Sequence, residues 1–253
     1  MGIGLHCVVN PLVGENESLT KYKVEKVNKP KKIAIIGSGP AGLEAAVILA
    51  KRGHKVQIFE KDKLGGQLNL AYLPPGKESL RKLIKYYQKE IEYHHITIHK
   101  KEFNSKILDE LEYDMVILAT GSRPFIPPIS GLKKYYWSEI IEPHNLLINK
   151  KIVVIGGGLI GLEISHSLAL NNNKVTIVEL LDEIGRGMEI LEKKFIIKAL
   201  KEANVEILTS TKVSEINHEA KLVKLDGKYN NCLLYTSDAA DELDGVDLGG
   251  RRI

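Results

Sequence analysis

Cysteine is almost missing from this 253-residue chain, which has Cys7 and Cys232 and no others. Two thiols exclude a disulfide framework and a four-thiolate metal site, and they point to a reducing compartment, the cytoplasm by default. No CxxC or CxxxxC occurs, so no pair of thiols is available to exchange electrons with a disulfide. Long apolar runs are missing as well: the best candidate, residues 151–170, is interrupted by Glu163, His166 and four glycines. That falls short of the roughly twenty apolar residues that span a bilayer, and no membrane partner is expected. Charge of one sign is not in excess, since 36 Lys and Arg against 32 Asp and Glu leave +4, so nucleic acid is not expected as a partner either. The eight histidines form no HExxH or similar metal pattern and are given no role. Targeting is not evident: the amino terminus lacks the basic flank and apolar stretch of a secretion signal, and His6 stands where a myristoylation site needs Ser or Thr. What is present, 43% apolar and 27% charged residues, suits a globular chain with room for two modest domains or one large one.

The chain repeats itself. Residues 31–61 (KKIAIIGSGPAGLEAAVILAKRGHKVQIFEK) align without a gap on residues 150–180 (KKIVVIGGGLIGLEISHSLALNNNKVTIVEL), and 15 of 31 positions are identical, where chance gives about two. Each copy reads as an apolar strand, a Gly-rich turn, a helix and a second apolar strand, which is a βαβ unit used twice. The runs at 33–36 and 152–155 are unbroken apolar, as parallel strands buried on both faces require.

Each turn carries GxGxxG, as Gly37, Gly39 and Gly42 and again as Gly156, Gly158 and Gly161. The first glycine permits the tight turn, the second lets a pyrophosphate reach the backbone, and the third brings helix and strand close together. The helix start then offers unpaired N–H groups and a partial positive charge to phosphate. Eighteen residues after its last glycine each turn is answered by an acid at the end of the next strand, Glu60 and Glu179. Such a carboxylate accepts both ribose hydroxyls of an adenosine. Beside Glu179 a 2′-phosphate would meet Leu180, Leu181, Asp182 and Glu183, so NADH is favoured over NADPH by about 1–3 kcal/mol; Arg186 is the one nearby residue able to offset this.

Between and after the units, the adjacent glycines of LGGQL (64–68) suit close approach of backbone to a ligand, although an ordinary loop explains them too. Residues 77–94 have a helical period with Leu80, Leu83, Ile84, Tyr87 and Ile91 on one stripe. YDMVILAT (113–120) reads as a buried strand, stopped by Gly121, with a crossover through Pro124, Pro127 and Pro128. Tyr86–Tyr87 and Tyr135–Trp137 read as packing aromatics. A helix is expected over 188–204 with Ile190, Leu191, Phe195, Ile196 and Leu200 inward, then short strands near 205–208, 213–216 and 220–225. Residues 232–253 (CLLYTSDAADELDGVDLGGRRI) lose all period and concentrate Asp and Gly. CLLYTSDAADE resembles the translated read-through of a sequencing adapter, and the tail is left out of the expected fold and function. The 231 residues before it carry 34 basic and 27 acidic side chains, net +7.

The paired units, together with IIGSGPAGLEAA (35–46), GGQL (65–68) and ATGSRP (119–124), resemble the two-dinucleotide-binding flavoproteins of the pyridine nucleotide-disulfide oxidoreductase type. A finer likeness is carried by HCVVNPLVGE (6–15) and LPPGK (73–77), which resemble the NADH:flavin oxidoreductase family of 2-enoate and 2,4-dienoyl-CoA reductases. The resemblance implies an α/β fold of two Rossmann-like domains, incomplete at both ends: 1–30 a linker with the remnant of an iron–sulfur segment, 31–147 an FAD-binding domain lacking its return segment, 148–231 a truncated NAD(P)H-binding domain, and 232–253 the tail. It places Gly37, Gly39, Pro40, Ala41, Gly42, Glu60 and Lys61 on the ADP half of FAD, and Gly66, Gln67, Ala119, Thr120 and Gly121 on its flavin side. Gly156, Gly158, Leu159, Ile160, Gly161 and Glu179 would hold NAD(P)H, with Glu163 near the nicotinamide or, alternatively, in a plain ion pair. Cys7 would be the last thiolate of a 4Fe-4S site whose other cysteines are not in this sequence; the full-length family also carries FMN in a preceding barrel. The function implied is hydride transfer from NADH to FAD, the electron-input half of such a reductase, with small-molecule nucleotides as partners. A small electron-input subunit like that of glutamate synthase, ADP in place of FAD on the first unit, and an NADH-sensing module without flavin remain open alternatives.

Overall fold

In the computed structural model of the chain, the residues described are 7, 9, 13, 24–104, 106–107, 112–123, 125–132, 140–142 and 147–229, and the backbone of 233–235 and 245–247. Pro124, Tyr135–Trp137 and Cys232 lie outside them. By spatial proximity the chain forms two compact units, Met1–Tyr72 with Ser79–Ser122, and Leu73–Glu78 with Arg123–Ile253. The expected boundary at 147/148 thus moves to 122/123, because Ile129 and Leu132 pack on the second unit's core and Ser130 accepts a backbone hydrogen bond from Ile216 at 2.8 Å.

The first unit is built on the first βαβ. Strand β1 (Lys32–Ile36), helix α1 (Pro40–Lys51) and strand β2 (Lys55–Phe59) follow one another as the sequence predicts. Pro40 opens α1, where a missing N–H costs nothing. Beyond the short helix α2 (Leu68–Ala71), a single 3-10 turn leads into α3 (Arg81–Tyr93), then β3 (Thr97–His99) and β4 (Met115–Leu118). The parallel sheet has the order β3-β2-β1-β4. Ile33, Ile35, Val56 and Ile58 meet Leu43, Ala46 and Val47 of α1 and Tyr87 and Ile91 of α3 on one face. Ala34 and Phe59 meet Ile107 on the other, so β1 is covered on both sides and its apolar run is unbroken. The α3 stripe buries Ile84, Tyr87 and Ile91 as expected. The strand at 113–120 is shorter and less buried than expected: β4 is an edge strand, with Met115 43% and Leu118 75% exposed.

The second unit repeats the plan with β5 (Lys151–Ile155), α4 (Leu159–Leu170), β6 (Lys174–Val178), α5 (Ile190–Glu202) and β7 (Glu206–Leu208). An antiparallel hairpin, β8 (Thr211–Asn217) and β9 (Leu222–Gly227), follows. Its Val213, Ile216, Val223 and Leu225 close over Val153, Val178 and Leu208 on one face of the sheet, while α4 and α5 cover Ile152, Val154, Val175 and Ile177 on the other. The tail departs from the expectation of no regular structure. Leu233–Tyr235 forms β10, antiparallel to β9, and Gly245–Asp247 forms β11, parallel to β5. Three residues apiece can pair on an open strand edge through backbone alone, without any apolar period. Among the described residues no helix is long and apolar enough to cross a membrane.

Helix α5 corrects the expected stripe. Leu200 is fully buried and Ile196 and Ile197 pack on the core, but Ile190, Leu191 and Phe195 are 69, 60 and 73% exposed. At about 100° per residue, a face centred between Ile196, Ile197 and Leu200 leaves Leu191 and Phe195 on the opposite side. Leu200→Ala is therefore expected to cost about 2–4 kcal/mol in chemical denaturation, and Phe195→Ser less than about 0.5 kcal/mol. Comparable losses at both positions would restore the inward reading of Phe195.

Candidate functional site

In the first unit, backbone and side chains converge on the turn between β1 and α1. Gly37 has φ +102°, and a Cβ there would run into the Ala119 carbonyl. A Cβ on Gly42 would overlap the Gly37 carbonyl and sit 3.2 Å from the Ala119 Cβ. These two glycines close the turn against α1 and against the end of β4, whose Ala119 N–H donates to Ile36 at 2.8 Å. Gly39 differs, because a Cβ there meets nothing within 4 Å. No side chain caps α1 at Gly39, so its first-turn N–H groups are left for an anion. GGQL comes to this same turn: Gly65 N–H donates to Ser38 O at 2.9 Å, and a Cβ on Gly66 would lie 3.0 Å from Gly39 Cα. Gln67 reaches the Ser122 carbonyl at 3.5 Å, and Gly121 adopts φ +72°. Gly37, Gly42 and Ala119 thus pack against one another, and Gly66 lies against Gly39.

Glu60 ties strand end to turn. Its Oε2 accepts from the Ser38 N–H and hydroxyl, both at 2.7 Å, and its Oε1 from the Asp62 N–H at 2.8 Å. Burial pushes this carboxyl up, but the donors of Asp62 and Ser38 outweigh it and hold the group below the usual range. Lys61 points elsewhere, into an exposed ion pair with Glu102 at 3.7 Å.

The second unit builds the same device from different residues. Gly156 has φ +102°, and the Glu179 Oε2 accepts from Gly157 N–H at 2.6 Å while its Oε1 accepts from Leu181 N–H at 2.7 Å. A Cβ on Gly158 meets nothing within 4 Å, and α4 starts there without a side-chain cap. Leu159 is 39% exposed at that start, Ile160 packs on the core and Gly161 is buried. The loop after β6 folds back as GGQL does, with Gly185 N–H on Gly157 O at 2.7 Å. The aligned repeat stops at Leu180, before this loop, so Gly185 was missed; the GRG of residues 185–187 was the available signal. Arg186 is exposed.

Glu163 is ion-paired. On α4 it meets Lys77 in a close contact, and Lys77 also reaches Glu192 of α5 at 3.4 Å. Burial works against the Lys77 ammonium, but the two carboxylates outweigh it and raise its pKa. LPPGK, noted in the sequence only as a likeness, therefore delivers its lysine to the helix that starts at the second glycine turn. Cys7 is exposed and free, and among the described residues no group of three or more His, Cys, Asp or Glu side chains is placed to hold a metal. One thiolate does not make a cluster site.

The model of the family described as pyridine nucleotide-disulphide oxidoreductase matches residues 31–238. The chain is 34% identical over 220 residues to an NADH oxidase of Thermoanaerobacter brockii, covering 84% of this chain and 34% of that protein. It is 32% identical over 227 residues to a cinnamate reductase of Clostridium sporogenes, covering 88% and 34%. Among solved structures, 2-naphthoyl-CoA reductase in its 2-naphthoyl-CoA complex superposes with a TM-score of 0.82 at 25% identity, over 96% of this chain and 36% of that one. The chain spans about a third of the length of these relatives.

The glycines separate packing from binding. Gly42→Ala is expected to lower stability by more than about 2 kcal/mol, since a backbone oxygen blocks its methyl. Gly39→Ala and Gly158→Ala should each cost less than about 1 kcal/mol while loosening the nucleotide of their own unit; thermal melts with and without ligand read both effects. Glu60 has a depressed pKa, so its contribution to stability is present above the ordinary carboxyl value of 4.5 and is lost as pH falls through the folded-state value. Glu60→Gln should flatten that acid limb in a melt-versus-pH series, and an unchanged limb would contradict the bonding described.

Proposed function

The chain belongs to the pyridine nucleotide-disulphide oxidoreductase family, and from that premise we propose that it is the electron-input module of an enoate- or dienoyl-CoA-reductase-like flavoenzyme, with FAD on its first unit and NADH on its second. The observation that carries this reading is the duplicated turn: in each unit an open glycine at an uncapped helix start lies beside a strand-end carboxylate, Gly39 with Glu60 and Gly158 with Glu179. Two such turns suit a protein that brings two dinucleotides together. The names of the relatives, an NADH oxidase and a cinnamate reductase, agree with a module that takes electrons from NADH.

Bound FAD would supply a two-electron acceptor for the hydride of NADH. The chain's own residues bind and orient. The first-turn N–H groups beyond Gly39 and Gly158 take the pyrophosphates. Glu60 and Glu179, already held by two or three donors each, keep lone pairs to accept ribose hydroxyls. Gly66, which lies against Gly39, and Gln67, which reaches Ser122, are assigned to the flavin end. Glu163, fixed by Lys77, is assigned to the nicotinamide end of the second site. NADH is preferred because a 2′-phosphate would face the Glu179 carboxylate. In a full-length protein of this kind FMN and a 4Fe-4S cluster would carry electrons onward. The residues described do not form a cluster site, and no step is assigned to one.

Mixing the protein with FAD and NADH should bleach the flavin's visible absorbance in an anaerobic stopped-flow experiment. NADPH should be slower by roughly tenfold or more, from about 1–3 kcal/mol of mismatch at Glu179, and equal rates would remove that role. Glu60→Ala should weaken FAD retention much more than NADH binding; the reverse would exchange the two sites. Firm NADH binding by a chain that takes up no flavin would favour a sensor instead.

A further inference from the structure

The first unit has a recess at the far end of its sheet from the glycine turn. β1, β2 and β3 run parallel, so the ends where β2 and β3 begin lie opposite the end where β1 enters the turn. There a recess of about 240 Å³ is lined by residues 54–57 at the start of β2, residues 94–97 between α3 and β3, and Ala50 of α1. None of the residues assigned to a dinucleotide lines it. Its volume is below that of clefts for drug-sized ligands, which limits an occupant to a small molecule.

The polar lining is rich in donors. His54 Nδ1 accepts from Lys31 N–H at 3.0 Å, so the proton of its neutral ring is on Nε2. The Gln57 oxygen accepts from the Tyr113 hydroxyl and from His99 Nε2, which leaves its amide hydrogens to offer. Lys55 adds an ammonium, Thr97 a hydroxyl and His95 a second imidazole. No Asp or Glu lines the recess. The carboxylate beside His94, Glu90, is taken by Lys51 at 2.8 Å and lies 3.7 Å from the His94 ring, so His94 is not counted among the donors. Helices α1 and α3 both end here, and the negative ends of their dipoles oppose an anion. Carbonyls of their last turns are already occupied, however: Leu49 O by His54 N–H at 3.1 Å and Ile91 O by Ile96 N–H at 3.0 Å. One ammonium, two imidazoles, an amide and a hydroxyl thus line a space without a carboxylate, a set that complements an oxyanion of multiple charge.

We propose that this recess binds a small oxyanion with two or more negative charges, a polycarboxylate or a phosphate ester, through His54, Lys55, Gln57, His95 and Thr97. The test is a titration of the full chain with citrate and, separately, with pyrophosphate at constant ionic strength, following the imidazole signals by NMR. At least one of the two anions should shift His54 and His95 in a saturable manner. Tighter citrate assigns the site to carboxylates and tighter pyrophosphate to phosphate esters, and either result supports it. Lys55→Glu combined with His95→Gly should weaken binding, read at His54, roughly tenfold or more. His95 has φ +52°, which glycine adopts freely, and Lys55 is exposed, so the melting temperature of this double variant should not fall. Lys89→Glu, exposed on α3 and outside the recess, should leave binding within about twofold. No shift at His54 and His95 with either anion, or equal binding to the double variant, would overturn the proposal. The site does not rest on the flavin reading: the double variant should retain FAD as the unaltered chain does.

Discussion

Both glycine turns depend on a carboxylate at the end of a second strand folding back onto the turn that follows the first. Glu60 does this through Ser38 and Glu179 through Gly157. The bond is charge-assisted, so it is stronger than a neutral one, and it spans the gap between two neighbouring strand ends where a dinucleotide would lie. It fixes the turn beside a helix start that no side chain caps, and this is in place before any ligand arrives. Preorganisation of this sort reduces what binding must spend on ordering.

The turn can sit where it does because packing closes in behind it. Gly37 and Gly42 leave room for the Ala119 backbone and for each other, so β4 and α1 both press on the turn from the protein side. On the opposite side nothing blocks Gly39 or Gly158. The loops after the second strands complete the frame, Gly65 bonding to Ser38 and Gly185 to Gly157 with nearly equal geometry. Two sequences that share only the repeat's core have arrived at one device, which is what a constraint on backbone rather than on side chains produces.

The segment Leu73–Glu78 shows a different kind of order. It belongs by proximity to the second unit although the chain on either side of it belongs to the first. Lys77 anchors it to Glu163 and Glu192. Half-buried, the lysine gains two partners for its desolvation, and its raised pKa keeps this anchor charged through the neutral range. The stability it adds is present below its ordinary value of 10.5 and is lost only as pH rises through the raised one.

Local chemistry was legible in the residues themselves. Apolar runs of strand length, the GxGxxG spacing and an acid eighteen residues on were enough for two βαβ units and their order, because each depends on neighbours close in sequence. The α3 stripe was legible for the same reason. What sequence could not settle was set by partners far along the chain. Which side of α5 faces inward depends on the sheet it meets, so Phe195 reads as core and stands exposed. Whether 113–120 is central or at an edge depends on strand order. The division at 122/123 depends on Ser130 finding Glu215, and the capture of Glu163 by Lys77 joins residues 86 positions apart. Period and motif encode what backbone sterics impose within a few turns; only tertiary contact decides which faces meet and which charges share a space.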